Sequence, residues 1–200
     1  LLVNWPNRLT VLRVLMIPLF LVVLVFVPYP LGPLIGAAIY AVASATDAID
    51  GHLARKNNQV TDFGKFLDPL ADKMLVITAL VVLQYLDLIH PIITVIIIAR
   101  ELMVTSIRLI AASSAGKVIA AGWWGKAKTV TQMIATILLM VEPVLLGAAE
   151  FSWNLPLLTG ATPETTAVFG TLMLYIATIL TLISGADYLI RNWKYLDYRK

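Results

Sequence analysis

The sequence predicts an all-α integral membrane protein with six transmembrane helices and both termini on the cytoplasmic side. Three observations carry this expectation. The 200 residues are 60% hydrophobic, with a mean hydropathy of +0.86, more apolar surface than a soluble domain of that length can hide. The apolar residues fall into runs of the length a helix needs to cross a hydrocarbon core, about 20 residues for about 30 Å. Basic residues occupy every second joint between those runs.

The first run, roughly 9–28, is too long for the apolar region of a signal peptide. It leads into Pro28-Tyr29-Pro30-Leu31-Gly32-Pro33 and not into a small-residue cleavage site, so it reads as a retained span. The second run, 32–54, carries Gly32 and Gly36 at a spacing that favours close helix packing. The third, 67–86, follows the polar stretch 56–61, and the fourth, 91–114, opens after His90-Pro91. The fifth, 127–149, follows a glycine-flanked joint at 116–125, and the sixth, 166–190, follows the loop 152–163. No polar or Pro/Ser-rich linker divides the chain, so a single transmembrane domain over 1–200 is expected. With no cysteine, neither a disulfide framework nor a thiolate metal site is available.

Charge sets the orientation. Arg8 and Arg13 lie at the start, Arg55, Lys56, Lys65 and Lys73 around the second joint, and Lys117, Lys126 and Lys128 around the fourth. Arg191, Lys194, Arg199 and Lys200 close the chain, whereas the first, third and fifth joints hold no Lys or Arg. This alternation puts the even joints and both ends on the cytoplasmic side. The net charge of +3 is then concentrated on one face, where it attracts anionic headgroups or phosphorylated substrates. Because these residues hug the membrane plane, nucleic acid is not an expected partner. Trp5, Tyr29, Tyr85, Trp123, Trp124, Trp153 and Trp193 fall near span ends, as interfacial anchors do.

The stretch DAIDGHLARKNNQVTDFGKFLDPLAD, residues 47 to 72, breaks the apolar pattern. Asp47 and Asp50 are three apart and Asp68 and Asp72 four apart, so each pair shares a helical face. Their helices are consecutive and antiparallel, and carboxylates meeting at a membrane boundary repel one another unless cations intervene. All-oxygen ligation favours Mg²⁺, Mn²⁺ or Ca²⁺ over zinc. A purely structural alternative pairs the acids with Arg55, Lys65 and Lys73 in a solvated helix–loop–helix. A helical glycine costs roughly 1 kcal/mol relative to alanine, so Gly51 beside Asp50 and Gly64 before Asp68 imply the close approach of a ligand. Ala54 keeps that wall low, and Arg55 offers a fork of donors to a phosphate oxygen. The combination describes a phosphoryl or diphosphate site.

The segment Asp47-x2-Asp50-Gly51-x2-Ala54-Arg55-x8-Gly64-x3-Asp68-x3-Asp72 resembles, at every position, the signature of the CDP-alcohol phosphotransferases. That resemblance implies six membrane helices and an active site at the cytoplasmic face, in a family whose members are often homodimers. It also implies that a hydroxyl attacks the β-phosphorus of a CDP-linked lipid and CMP leaves. Asp47, Asp50, Asp68 and Asp72 would then hold two divalent cations, Mg²⁺ or Mn²⁺, with Asp72 also the general base. Gly51, Ala54, Arg55 and Gly64 would accommodate the nucleotide and its diphosphate. The opening NWPNRLTVLR is similar too, implying a CDP-lipid contact for Asn7, Thr10 and Arg13.

The acceptor alcohol is addressed by the fourth and fifth runs. Arg100 and Glu101 lie inside an apolar helix, and Glu101, Thr105 and Arg108 form a single stripe. Ionisable groups at this depth are usually functional, so Arg100 and Glu101 are either an internal ion pair that fixes packing or part of the substrate site. Arg108, Lys117, Lys126 and Lys128 make a basic pocket suited to an acceptor with its own phosphate, although Lys117 also suits simple snorkelling. The stretches ARELMVTSIRLIAA and AAGWWGKAKTVTQM resemble the phosphatidylglycerophosphate-forming branch of the family, which implies CDP-diacylglycerol and sn-glycerol 3-phosphate as substrates. Inositol phosphate or serine as acceptor is the nearest alternative. A Mg²⁺-dependent intramembrane prenyltransferase or a divalent-cation carrier is more remote, since the acids sit at one face and no internal repeat is evident. With no transit peptide evident, a bacterial inner membrane is the expected location.

Overall fold

The computed structural model describes residues 5–56, 62–115, 122–145 and 168–193, with side chains described over 11–46, 71, 73–108, 110–111, 122–145 and 168–193. Those residues form six α-helices: α1 (Trp5–Phe26), α2 (Leu31–Lys56), α3 (Asp62–Tyr85), α4 (Pro91–Ala115), α5 (Trp123–Leu145) and α6 (Val168–Asn192). No strand occurs among the described residues. The helices match the six apolar runs in order and overreach several of them. α1 begins at Trp5, α3 at Asp62 and α5 at Trp123, each four or five residues ahead of its apolar run. The backbone ladder continues through polar side chains that a search for apolar runs stops at.

Two connections are described. α1 and α2 are joined across 27–30, where Tyr29 donates its hydroxyl to the Pro143 carbonyl at 3.1 Å. α3 and α4 are joined across 86–90, where Asp87 adopts a φ of 57°. Pro91 takes the first position of α4, where its missing N–H costs no helical hydrogen bond. The remaining joints fall outside the described residues.

α1 packs on α2 and α3, α2 also on α5, and α4 on α6 and α3, while the most extensive contact is α5 on α6. The apolar core runs through Phe20 and Leu24, Tyr40 and Ala43, Ala79, Leu80 and Leu83, Ile97, Leu139 and Leu174, all fully or almost fully buried. Gly36 answers the expectation of close packing: a Cβ there would lie 2.5 Å from Leu24 Cδ2, so α1 and α2 touch over a missing side chain. The outer surfaces are rich in exposed aliphatics, among them Leu15, Val95, Leu145 and Ile190. α5 and α6 are long and apolar enough to cross a membrane by length and composition, and shorter apolar stretches occupy 11–26, 31–46 and 73–85. These features fit integration into a lipid bilayer.

One buried acid was not anticipated. Glu142, 6% exposed near the end of α5, accepts the backbone N–H groups of Phe169 at 3.0 Å and Gly170 at 2.8 Å. Both donors belong to the first turn of α6, where N–H groups lack intrahelical acceptors and the helix dipole favours a negative charge.

Candidate active site

The signature residues lie on two consecutive helices. Asp47, Asp50, Gly51, Ala54 and Arg55 belong to the last part of α2, and Gly64, Asp68 and Asp72 to the first half of α3. Continuous helix through both segments gives the three- and four-residue spacings the helical meaning that the sequence assigned to them. The side chains of these eight residues lie outside the described residues. Asn7 and Thr10 lie on α1, also with side chains outside the description, and Lys117 falls outside it entirely. Arg13 is described, and at 2% exposed it is among the largest fully buried side chains.

Beside this segment the helices converge on Glu101. The carboxylate, 4% exposed on α4, receives Lys73 from α3 and Lys128 from α5. Arg100 Nη1 adds a third contact to Glu101 Oε1 at 2.9 Å. Arg100 Nη2 donates to Ser184 Oγ on α6 at 2.9 Å, and Ser184 in turn donates to the Thr181 carbonyl at 3.1 Å. One carboxylate thus ties together α3, α4, α5 and, through Arg100, α6. Lys73 is the residue after Asp72, so the node is linked directly to the helix that carries the acids.

Arg100 and Lys128, both expected around the acceptor phosphate, are brought together here, on an acid. Among the described residues Arg100 and Lys128 bring two formal positive charges to this one carboxylate, an excess that favours a further anion nearby. Gly125, at the start of α5, faces the same guanidinium: a Cβ there would meet Arg100 Nη2 at 3.5 Å. Arg108 lies seven residues beyond Glu101 on α4, about 10 Å along the axis. Its guanidinium carbon lies 5.6 Å from the Tyr188 ring centroid, a cation–π distance. Lys126 is exposed at the start of α5. The expected stripe on α4 is present in part: Glu101 is buried, and the half-buried Thr105 spends its hydroxyl on the Glu101 carbonyl at 2.8 Å.

In the sequence Lys73 stands out only by its charge and as a possible partner for the acids, and Ser184 is unmarked. A lysine directly following Asp72 within an apolar helix was the available signal for the first. No local pattern marks Ser184, because its partner lies 84 residues away.

Residues 3–191 match the family model described as CDP-alcohol phosphatidyltransferase. The chain belongs to this family. Family relatives named CDP-diacylglycerol–glycerol-3-phosphate 3-phosphatidyltransferase cover nearly its whole length. The Bacillus subtilis (strain 168) protein is 38% identical over 205 residues, 96% of this chain and 97% of its own. The Pseudomonas fluorescens protein is 38% identical over 98% of this chain and 95% of its own. The Haemophilus influenzae protein is 38% identical over 93% and 91%. Family membership makes the chain a transferase of phospholipid biosynthesis.

The donor set also bears on a metal. Four carboxylates carried by two adjoining helices, with no sulfur or imidazole in the set, are hard oxygen donors of the kind that suits Mg²⁺ or Mn²⁺.

Proposed function

We propose that the chain transfers the phosphatidyl group of CDP-diacylglycerol to sn-glycerol 3-phosphate, giving phosphatidylglycerophosphate and CMP. The observation that carries this is near-full-length similarity to relatives of that name together with an undeparted eight-position signature. The six helices form a transmembrane domain with both termini and the signature segment at the cytoplasmic face of a bacterial inner membrane. The even joints' basic residues support that orientation.

Asp47, Asp50, Asp68 and Asp72 would hold two divalent cations, whose chemistry when bound is to neutralise the diphosphate and stabilise the departing CMP oxygen. Gly51, Ala54 and Gly64 leave room for the nucleotide, and Arg55 donates to a diphosphate oxygen. Asn7, Thr10 and Arg13 border the CDP-lipid from α1. Arg108, Lys117 and Lys126, with the surplus charge of Arg100 and Lys128, draw the acceptor's phosphate. Asp72 then takes the proton of the acceptor's primary hydroxyl as its oxygen bonds to the β-phosphorus. The bond from that phosphorus to the CMP oxygen breaks in line, with no covalent enzyme intermediate. A homodimer is consistent with this scheme and is not required by it.

The test is CMP release from CDP-diacylglycerol by the purified chain in detergent with Mg²⁺. The arms contain glycerol 3-phosphate, myo-inositol 3-phosphate, serine or no acceptor, beside an Asp68→Asn variant. Release that needs glycerol 3-phosphate and drops by at least about a hundredfold in the variant is expected. Release with another acceptor alone would overturn the acceptor assignment, and release by none would overturn the reaction.

A further inference from the structure

Gln132 is a buried polar side chain on α5 to which the reaction described so far gives no task. It is 2% exposed, and neither Oε1 nor Nε2 has a hydrogen-bond partner among the described residues. A buried amide in that state forfeits the hydration of both groups, and such groups are rare unless a ligand, water or ion completes them. Lys128, also 2% exposed, stands four residues earlier. The spacing puts the two on one helical face, about 6 Å apart along the axis. Thr136, the next residue of that stripe, donates its hydroxyl to the Gln132 backbone carbonyl at 2.9 Å, which leaves the amide side chain unserved.

That face of α5 therefore presents a cation of the Glu101 node and, one turn on, an unsatisfied donor–acceptor pair. A ligand with an anion at one end and a hydroxyl a few ångströms away fits the order. sn-Glycerol 3-phosphate has the phosphate, a primary hydroxyl that reacts, and a secondary hydroxyl at C2 that does not. We propose that Gln132 is the specificity-determining residue that reads this C2 hydroxyl. Oε1 accepts the hydroxyl hydrogen and Nε2 donates to the hydroxyl oxygen, while Lys128 and Arg100 beside Glu101 hold the phosphate. The inference rests on the acceptor assigned above and adds the group that distinguishes glycerol from a bare alkanol.

The experiment compares glycerol 3-phosphate with 3-hydroxypropyl phosphate, which keeps the phosphate and the primary hydroxyl and lacks the C2 hydroxyl. Both are offered with CDP-diacylglycerol to the full chain and to Gln132→Met, a variant of similar length with no hydrogen-bonding amide. The native chain should prefer glycerol 3-phosphate by roughly ten- to a hundredfold in kcat/KM. Gln132→Met should lose most of that preference through glycerol 3-phosphate alone, with the KM for CDP-diacylglycerol unchanged. Its melting temperature should equal or exceed the native value, because an unpartnered buried amide has been removed. Equal losses on both acceptors, or an intact preference, would overturn the proposal and leave the reaction standing. Equal kcat/KM for the two acceptors in the native chain would overturn it without any variant. No release with glycerol 3-phosphate would bring down the reaction and this inference together.

Discussion

Glu101 shows how one residue can hold several helices. Its carboxylate is a poor tenant of an apolar interior by itself, and Lys128 is a worse one, since each loses its hydration on burial. They coexist because Lys73, Arg100 and Lys128 converge on the acid. Removing the acid leaves Lys128, 2% exposed, without its carboxylate, and breaking a buried pair from one side costs about 3–5 kcal/mol. Glu101→Gln is therefore expected to lower the melting temperature in detergent sharply. Adding Lys128→Met should recover a substantial part of the loss, because the stranded charge goes with it. A double variant no more stable than the single one would refute the coupling, and the same thermal unfolding series measures both. The sequence identified Arg100 and Glu101 as buried ions and left open whether they pack or bind. It did not place Lys73 and Lys128 on the same carboxylate, since Lys73 on α3, Glu101 on α4 and Lys128 on α5 share no local spacing.

At the scale of elements, α5 and α6 meet through a near absence of side chain. A Cβ at Gly170 would lie 2.9 Å from the Leu139 backbone nitrogen and 3.2 Å from the Leu138 carbonyl carbon. Backbone atoms inside a helix cannot step aside as a flexible side chain can, so Gly170→Val should destabilise by about 1–3 kcal/mol or more. Glu142 secures the same junction from the other side by accepting the Phe169 and Gly170 N–H groups. Glu142→Gln keeps an acceptor oxygen but loses the charge and turns an amide donor toward other donors, with an expected cost of about 1–2 kcal/mol. Thermal unfolding of both variants checks this. A Gly170→Val variant as stable as the native chain would mean that the helices are free to separate there. The helices themselves were legible as apolar runs, with Pro91 marking the start of α4. The α5–α6 tie was not, because an isolated Glu142 and an isolated Gly170 have no visible relation until the helices pack.

For the whole molecule, the decisive property is orientation. With no cysteine in the chain, single introduced thiols report sidedness without background. His90→Cys, exposed between α3 and α4, should react with an impermeant maleimide added outside intact cells. Trp193→Cys, 67% exposed at the end of α6, should react only after the membrane is opened. The reverse pattern would turn the proposed topology over and put the signature segment on the outer face.

By itself the sequence determined the all-helical class, the helix order and the family, and it supplied the segment proposed to react. Each of these is written locally, in apolar run lengths, in the sidedness of charge, and in eight residues at fixed spacing on two adjoining helices. Only the tertiary structure decided which ions neutralise which. It drew Arg100 and Lys128 onto Glu101, added Lys73 and Ser184, and left the Gln132 amide buried without a partner among the described residues. The physical reason is that burial is a property of packed surroundings. A lysine on an amphipathic helix end has the same sequence context whether it snorkels to water or meets a carboxylate from another helix, and only the packing of α3, α4, α5 and α6 selects between them.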